Sequence, residues 1–283
     1  MTVEDRNKGI IATFFAAVLW STGGLFIKLL PQDAFTILFY RSFYAALTFC
    51  IVFRKSAFKF NKLSLITSLF YTPLLICFVT STKLTTAANA IFLQYTAPAF
   101  VLLLEPFFLK TKLKAINVVT VVLCFIGMIF FFMDSLTTPD NWLGVGLALI
   151  SGFLLTGLLI SQRMNKEEFQ PGSILLGNLW VVLITIPWAI DSGMPTMNEN
   201  LMLMFLGFGQ LGLGFVLFTY GQRYIQAIES SLLSMLEPIL NPIWVMVGYG
   251  EIPGIWAFVG GLTIVAALIF RLIWMSRIRL SRE

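Results

Sequence analysis

At 283 residues, 58% of them apolar and only 12% charged, the chain has too few charges to solvate a globular surface, for which about 25% is usual. The net charge of +5 would suit nucleic acid or an anionic surface, but its distribution along the chain reads instead as an orientation signal. There is no His, and Cys50, Cys77 and Cys124 all lie in apolar runs, where Cys packs as a small hydrophobe; this excludes a disulfide framework and any metal-ligand spacing.

Apolar runs of about 20 residues, the length that matches a bilayer's hydrocarbon thickness, recur along the whole chain. In the first half they predict helices over Gly9–Leu30, Ala34–Phe53, Leu63–Ser81, Thr86–Leu109 and Ala115–Met133. In the second half they predict Trp142–Met164, Ser173–Ile190, Leu201–Gln222, Ala227–Tyr249 and Ile255–Met275. The first run is too long for a signal-peptide core and lacks a small-residue cleavage site, so it reads as a retained helix. The expected fold is an all-α integral membrane protein of ten transmembrane helices. Residues 1–8 form an N-terminal segment, 9–133 a first unit, 134–141 a loop, 142–276 a second unit and 277–283 a basic tail.

Basic residues collect on the cytoplasmic side of membrane proteins. With the N-terminus placed there, 16 of the 19 Lys and Arg residues fall inside. They include Arg6, Arg54, Lys59, Lys110, Lys112, Lys114, Arg163, Arg223, Arg271, Arg277, Arg279 and Arg282. Only Lys28 and Lys83 fall outside, and Arg41 lies within a span. A missing or invented span would scramble this split by parity. Both termini are therefore expected in the cytoplasm, with the acids Asp33, Asp134, Asp140, Asp191, Glu199 and Glu251 in the outer loops. The lack of a targeting extension suggests a bacterial inner membrane.

The chain also resembles itself at a displacement of about 140 residues. TSTKLTTAANAIFLQYTAP, Thr80 to Pro98, lies over YGQRYIQAIESSLLSMLEP, Tyr220 to Pro238, so that Lys83 meets Arg223, Ala87 meets Ala227 and Pro98 meets Pro238. Five helices per unit is an odd number, so the second unit enters the membrane from the opposite side. The chain is thus expected to be two inverted five-helix repeats. That architecture recurs in transporters, where two halves rock about a shared central site.

Several of these features resemble the drug/metabolite transporter superfamily, in particular EamA-type transporters. They are Gly9 opening the first helix with Trp20 at its centre, Arg41 within LFYRSF, and Pro98 in the fourth helix. The most specific is SSLLSMLEPILNPIWVMVGYGE, Ser230 to Glu251, a mid-helix Glu-Pro closed by a Gly-Glu turn. The first half departs from that pattern, with Thr111 in place of the turn acid and Ala97 opposite Glu237. The resemblance covers residues 9–276 and implies ten helices and solute transport, with the cargo left open.

A charge near the centre of a span costs roughly 2.5–3.5 kcal/mol on insertion scales, so such residues face a cavity or a partner. Counting to the middle of each span gives Trp20, Arg41, Tyr71, Tyr95, Trp180, Gln210 and Glu237. With Tyr220 and Asn241 they form the candidate substrate site. The fifth and tenth spans offer only Cys124 and Thr263, which sets them behind the others as scaffold or dimer surface.

Arg41 is a candidate carboxylate or phosphate clamp, or else a structural tether. Ser230, Ser234, Glu237 and Asn241 form one polar stripe. Removal from water penalises a carboxylate's charge, which makes Glu237 a candidate carrier of a coupling proton. Pro98 and Pro238 each remove a backbone donor and mark candidate helix breaks or gating points. The aromatic rings offer stacking surfaces for an apolar or cationic cargo. Glu105 lies close to Lys110 and reads as paired or snorkelling. Gly207, Gly209 and Gly212 spell GxGxxG, but inside an apolar span this spacing means close helix contact and not a dinucleotide site.

The leading expectation is a secondary transporter exporting amino acids or similar small amphipathic solutes by alternating access. It would need no cofactor, metal or nucleic acid, would contact membrane lipid, and would act as a monomer or homodimer with H+ a candidate coupling ion. The alternatives are uptake, a carrier of a nucleotide- or lipid-linked sugar, an intramembrane enzyme and a receptor. Without His, and with isolated Cys, most catalytic sites cannot be assembled, so no catalytic residue is assigned.

Overall fold

The computed structural model describes residues 3–109, 115–137, 142–222, 224–225 and 233–280. Lys110, Thr111, Lys112, Lys114, Asp140, Arg223, Ala227, Ser230 and Arg282 lie outside them, as do the side chains of Glu105, Asp134, Arg277 and Arg279. Every regular element among the described residues is helical.

The first half comprises α1 (Val3–Ser21), α2 (Gly23–Leu29), α3 (Ala34–Phe53), α4 (Lys62–Leu84), α5 (Ala87–Gln94), α6 (Ala97–Leu109) and α7 (Ala115–Thr137). The second comprises α8 (Trp142–Met164), α9 (Gln170–Asp191), α10 (Met197–Met204), α11 (Gly214–Gly221), α12 (Leu236–Tyr249) and α13 (Ile255–Leu280). A π-helical segment, Phe205–Leu213, joins α10 to α11. Local chemistry sets the starts. Asp33 accepts from the Phe35 and Thr36 amides to cap α3, and Thr196 with Glu199 closes a capping box on α10. α12 ends where Gly250 adopts a left-handed conformation, φ 80°.

Seven segments among the described residues are long and apolar enough to cross a membrane, where ten were expected. The fifth and tenth expected spans are represented by shorter apolar stretches, Ala115–Phe130 and Ile255–Arg271. The ninth runs through residues outside the description before reaching α12. Three of the expected helices are interrupted. α1 and α2 part at Thr22, α5 and α6 part at Tyr95 and Thr96, and α12 starts after a turn at Met235. The last two breaks fall two or three residues before Pro98 and Pro238, as a missing backbone donor requires.

α4 packs on α8 and α9, α3 on α9 and the π segment, and α1 on α11 and α12. α7 and α13 pack on each other and touch the rest through α6 and α5, which is the peripheral place expected for the fifth and tenth spans. The core is closely packed where glycine allows it. A Cβ on Gly207 would stand 2.7 Å from the Arg41 carbonyl oxygen, so the π segment rests directly on the backbone of α3. This is the close contact expected of the GxGxxG stretch. Many large apolar side chains, such as Leu69, Phe107, Leu183 and Val247, point outward and exposed, as a lipid-facing surface requires.

Gly207→Ala should therefore cost about 1–3 kcal/mol through overpacking, read as a lower melting temperature of the detergent-purified protein. Gly146→Ala should instead raise it slightly, through a gain of about 0.4–1 kcal/mol, since a Cβ there meets nothing within 4 Å on a helical backbone.

Candidate functional site

Arg41 stands near the middle of α3 and is 2% exposed. Its Nη2 donates to Gln210 Oε1 at 2.8 Å, and its Nε and Nη1 have no hydrogen-bond partner among the described residues. Gln210 sits on the π segment and donates from Nε2 to the Trp20 carbonyl at 3.1 Å, two residues before the break at Thr22. One amide side chain thus ties α3, the π segment and the end of α1 together. The widened turn of a π segment is frequent at functional sites, and here it carries Gln210, the guanidinium's hydrogen-bond partner.

On the opposite side, the Tyr95 hydroxyl lies 2.8 Å from Glu237 Oε2 and 3.2 Å from the Ser234 carbonyl. Tyr95 caps the end of α5, and Glu237 lies in the first turn of α12. Tyr71 on α4 is buried and accepts from Asn178 Nδ2 of α9 at 3.2 Å. Glu237 and Tyr71 are the titratable groups near enough to feel Arg41's charge, yet neither takes a hydrogen bond from it. Asn241 is 1% exposed, and its Oδ1 has no hydrogen-bond partner, nor has that of Asn178. It presses against Gly24, where no Cβ stands in the way. Trp244 Nε1 donates to Ser21 Oγ at 2.9 Å and fixes α12 against α1.

The structure therefore brings Trp20, Arg41, Tyr71, Tyr95, Gln210 and Glu237 into one polar group, with Asn241 one turn beyond Glu237. Trp20 enters through its carbonyl, while its ring lies on Phe218 at 5.0 Å and against Gly214. Pro98 and Pro238 flank the two breaks that position Tyr95 and Glu237. Trp180 and Tyr220 are placed elsewhere. Trp180 shares the outward face of α9 with Leu183 and Ile184, all exposed. Tyr220 is exposed on α11 beside Tyr224, 5.0 Å between rings. Asn178 was missed, although its spacing to Ile174, Val181 and Thr185 marks the buried face of α9.

A cleft of about 540 Å³ opens at the end of the bundle where α3 ends and α9 begins. Phe53 and Ser56 line it from the first half, and Glu168, Pro171, Phe215 and Thr219 from the second. At its rim Lys59 and Glu168 pair at 2.8 Å, both half exposed. Three or more His, Cys, Asp or Glu residues placed to hold a metal are not found among the described residues.

A family model described as the EamA-like transporter family matches residues 7–133 and 142–273. An uncharacterized transporter of Archaeoglobus fulgidus is 22% identical over 265 residues, covering 92% of this chain and 95% of that protein. An uncharacterized transporter of Clostridium kluyveri is 24% identical over 185 residues, 61% of this chain and 58% of that protein. A solved crystal structure superposes with a TM-score of 0.67 over 96% of this chain and 99% of that one, at 18% identity, a likeness of fold alone.

Because Gln210 holds a buried charge, Gln210→Ala should lower stability by about 1.5–3 kcal/mol, the range for hydrogen bonds to charged groups. Thermal unfolding in detergent checks this, and Gln210→Glu should recover most of the loss.

Proposed function

The chain belongs to the EamA-like transporter family and is an integral membrane transporter, and from that premise we propose that it is a secondary exporter of amino acids or similar small amphipathic solutes, working by alternating access. The observation that carries this reading is Arg41, a buried guanidinium in the middle of a membrane bundle whose Nε and Nη1 are unengaged among the described residues. A solute carboxylate is the natural partner for such unengaged guanidinium nitrogens. Glu237 and the free Oδ1 of Asn241 would receive an amine, and the rings of Tyr71 and Tyr95 would flank the remainder.

The transport cycle we infer uses ten membrane helices arranged as two inverted five-helix halves, with both termini cytoplasmic in a bacterial inner membrane. Two matches to one family model, over 7–133 and 142–273, support the duplication. The inner cleft between the halves supports a state open to the cytoplasm, from which an exporter loads. The sequence carries no nucleotide-binding motif, so a gradient drives the cycle, and Glu237 is our candidate for the group that carries a proton with it.

A counterflow screen in liposomes against amino acids, amines and nucleosides tests the cargo. Accumulation of an unmodified solute bearing a carboxylate is the expected result, and conversion to product without accumulation would overturn transport. Arg41→Lys keeps the charge but loses the planar fork, so apparent affinity should fall about tenfold or more, equivalent to about 1.4 kcal/mol. Glu237→Gln should flatten the dependence of counterflow on pH; an unaltered profile would remove the proton assignment.

A further inference from the structure

Lys28 and Lys83 are the two basic residues that the inside bias places on the wrong side, and the structure uses both at the same end of the bundle. Lys28, on α2, sets its Nζ 2.7 Å from Glu251 Oε2 and donates to the Thr85 carbonyl, also at 2.7 Å. Lys83 donates to the Leu30 carbonyl. The second oxygen of Glu251, Oε1, accepts from the Ala87 amide at 2.6 Å. Ala87 is the first residue of α5, where a helix favours negative charge. Glu251 comes from the second half and reaches this position because Gly250 turns the chain back in a left-handed conformation. A single carboxylate therefore fastens α2 and α5 of the first half to the turn after α12 of the second.

We propose that Lys28 and Glu251 form the outer gate of the transport path, closed in this structure while the cleft at the opposite end stands open. The proposal rests on the alternating-access reading and adds the contact that must break for the outer side to open. Its energetics suit a switch. The side chains are 11% and 16% exposed, enough shielding for the attraction to exceed that of a surface pair. Water still reaches both, so separating them does not strand a charge in hydrocarbon, as it would for a fully buried pair. The contact joins the two halves at the end where an inward-open state must hold them together.

The test uses the full chain with Cys50, Cys77 and Cys124 replaced by Ala, in lipid nanodiscs without solute. Spin-label pairs go on exposed positions, Pro31→Cys with Val247→Cys at the outer end and Phe58→Cys with Gln222→Cys at the cleft. Lys28→Gln and Glu251→Gln should each raise the ratio of long to short outer distances at least tenfold, with a matching shortening across the cleft. Lys28→Arg should keep the unsubstituted distribution. Unchanged outer distances in the neutral variants, or an equal shift in Lys28→Arg, would overturn the gate, and should one neutral variant fail to fold, the other decides. Since no solute is present, unchanged distances leave the transport reading standing, and a failed counterflow screen leaves the gate standing.

Discussion

Arg41 imposes the constraint to which the centre of the bundle answers. A guanidinium among apolar helices needs partners, and apart from Tyr71 on the continuous α4 those near it come from places where a helix is not continuous. Gln210 sits on a π segment, the Trp20 carbonyl precedes the break at Thr22, Tyr95 closes α5, and Glu237 begins α12. Unwound or irregular backbone is tolerated at membrane depth only inside protein or beside water. The breaks therefore gather round the charge, and the charge gives them a common place to be satisfied. Gly207, with no Cβ between it and the Arg41 carbonyl, brings the π segment close enough for the amide to reach.

The two ends of the bundle are built differently. At one end a shielded ion pair, reinforced by a helix N-terminus and two backbone carbonyls, joins the halves. At the other, a half-exposed pair, Lys59 with Glu168, lies at the rim of an open cleft. Pairs of the second kind contribute little to stability, and the halves are also joined there by Asn61, which donates to Asn165 Oδ1 at 2.8 Å. Between them the core holds polar residues that are only partly matched to one another among the described residues. The α7–α13 pair stands aside from this machinery, touching it through α6 and α5.

The site was legible in part, and the errors have a geometric origin. Counting from the ends of an apolar run fixes the height of a residue in the bilayer, which is why Arg41, Gln210, Tyr95 and Glu237, chosen by height, lie near one another. It does not fix the direction in which the side chain points. Trp180 has the right height on α9 but faces outward; Asn178, two residues earlier and so about 200° round the helix, faces in and bonds Tyr71. Tyr220 was chosen for its ring, and its exposed position beside Tyr224 shows how little residue type alone says about place. The pairing of Lys28 with Glu251 had no local signal, because the partners lie in different halves.

By itself the sequence determined the all-helical membrane class of the molecule and the family to which it belongs. Apolar run length is matched to a bilayer and Glu-Pro or Gly-Glu signatures are local, so both survive in one dimension. Only the tertiary structure decided which polar residues share a centre, that Arg41 keeps Nε and Nη1 unengaged among the described residues, and that Glu251 joins the halves at one end while a cleft lies at the other. Those properties depend on the rotation of each helix about its axis and on contacts between distant segments, and packing alone sets both.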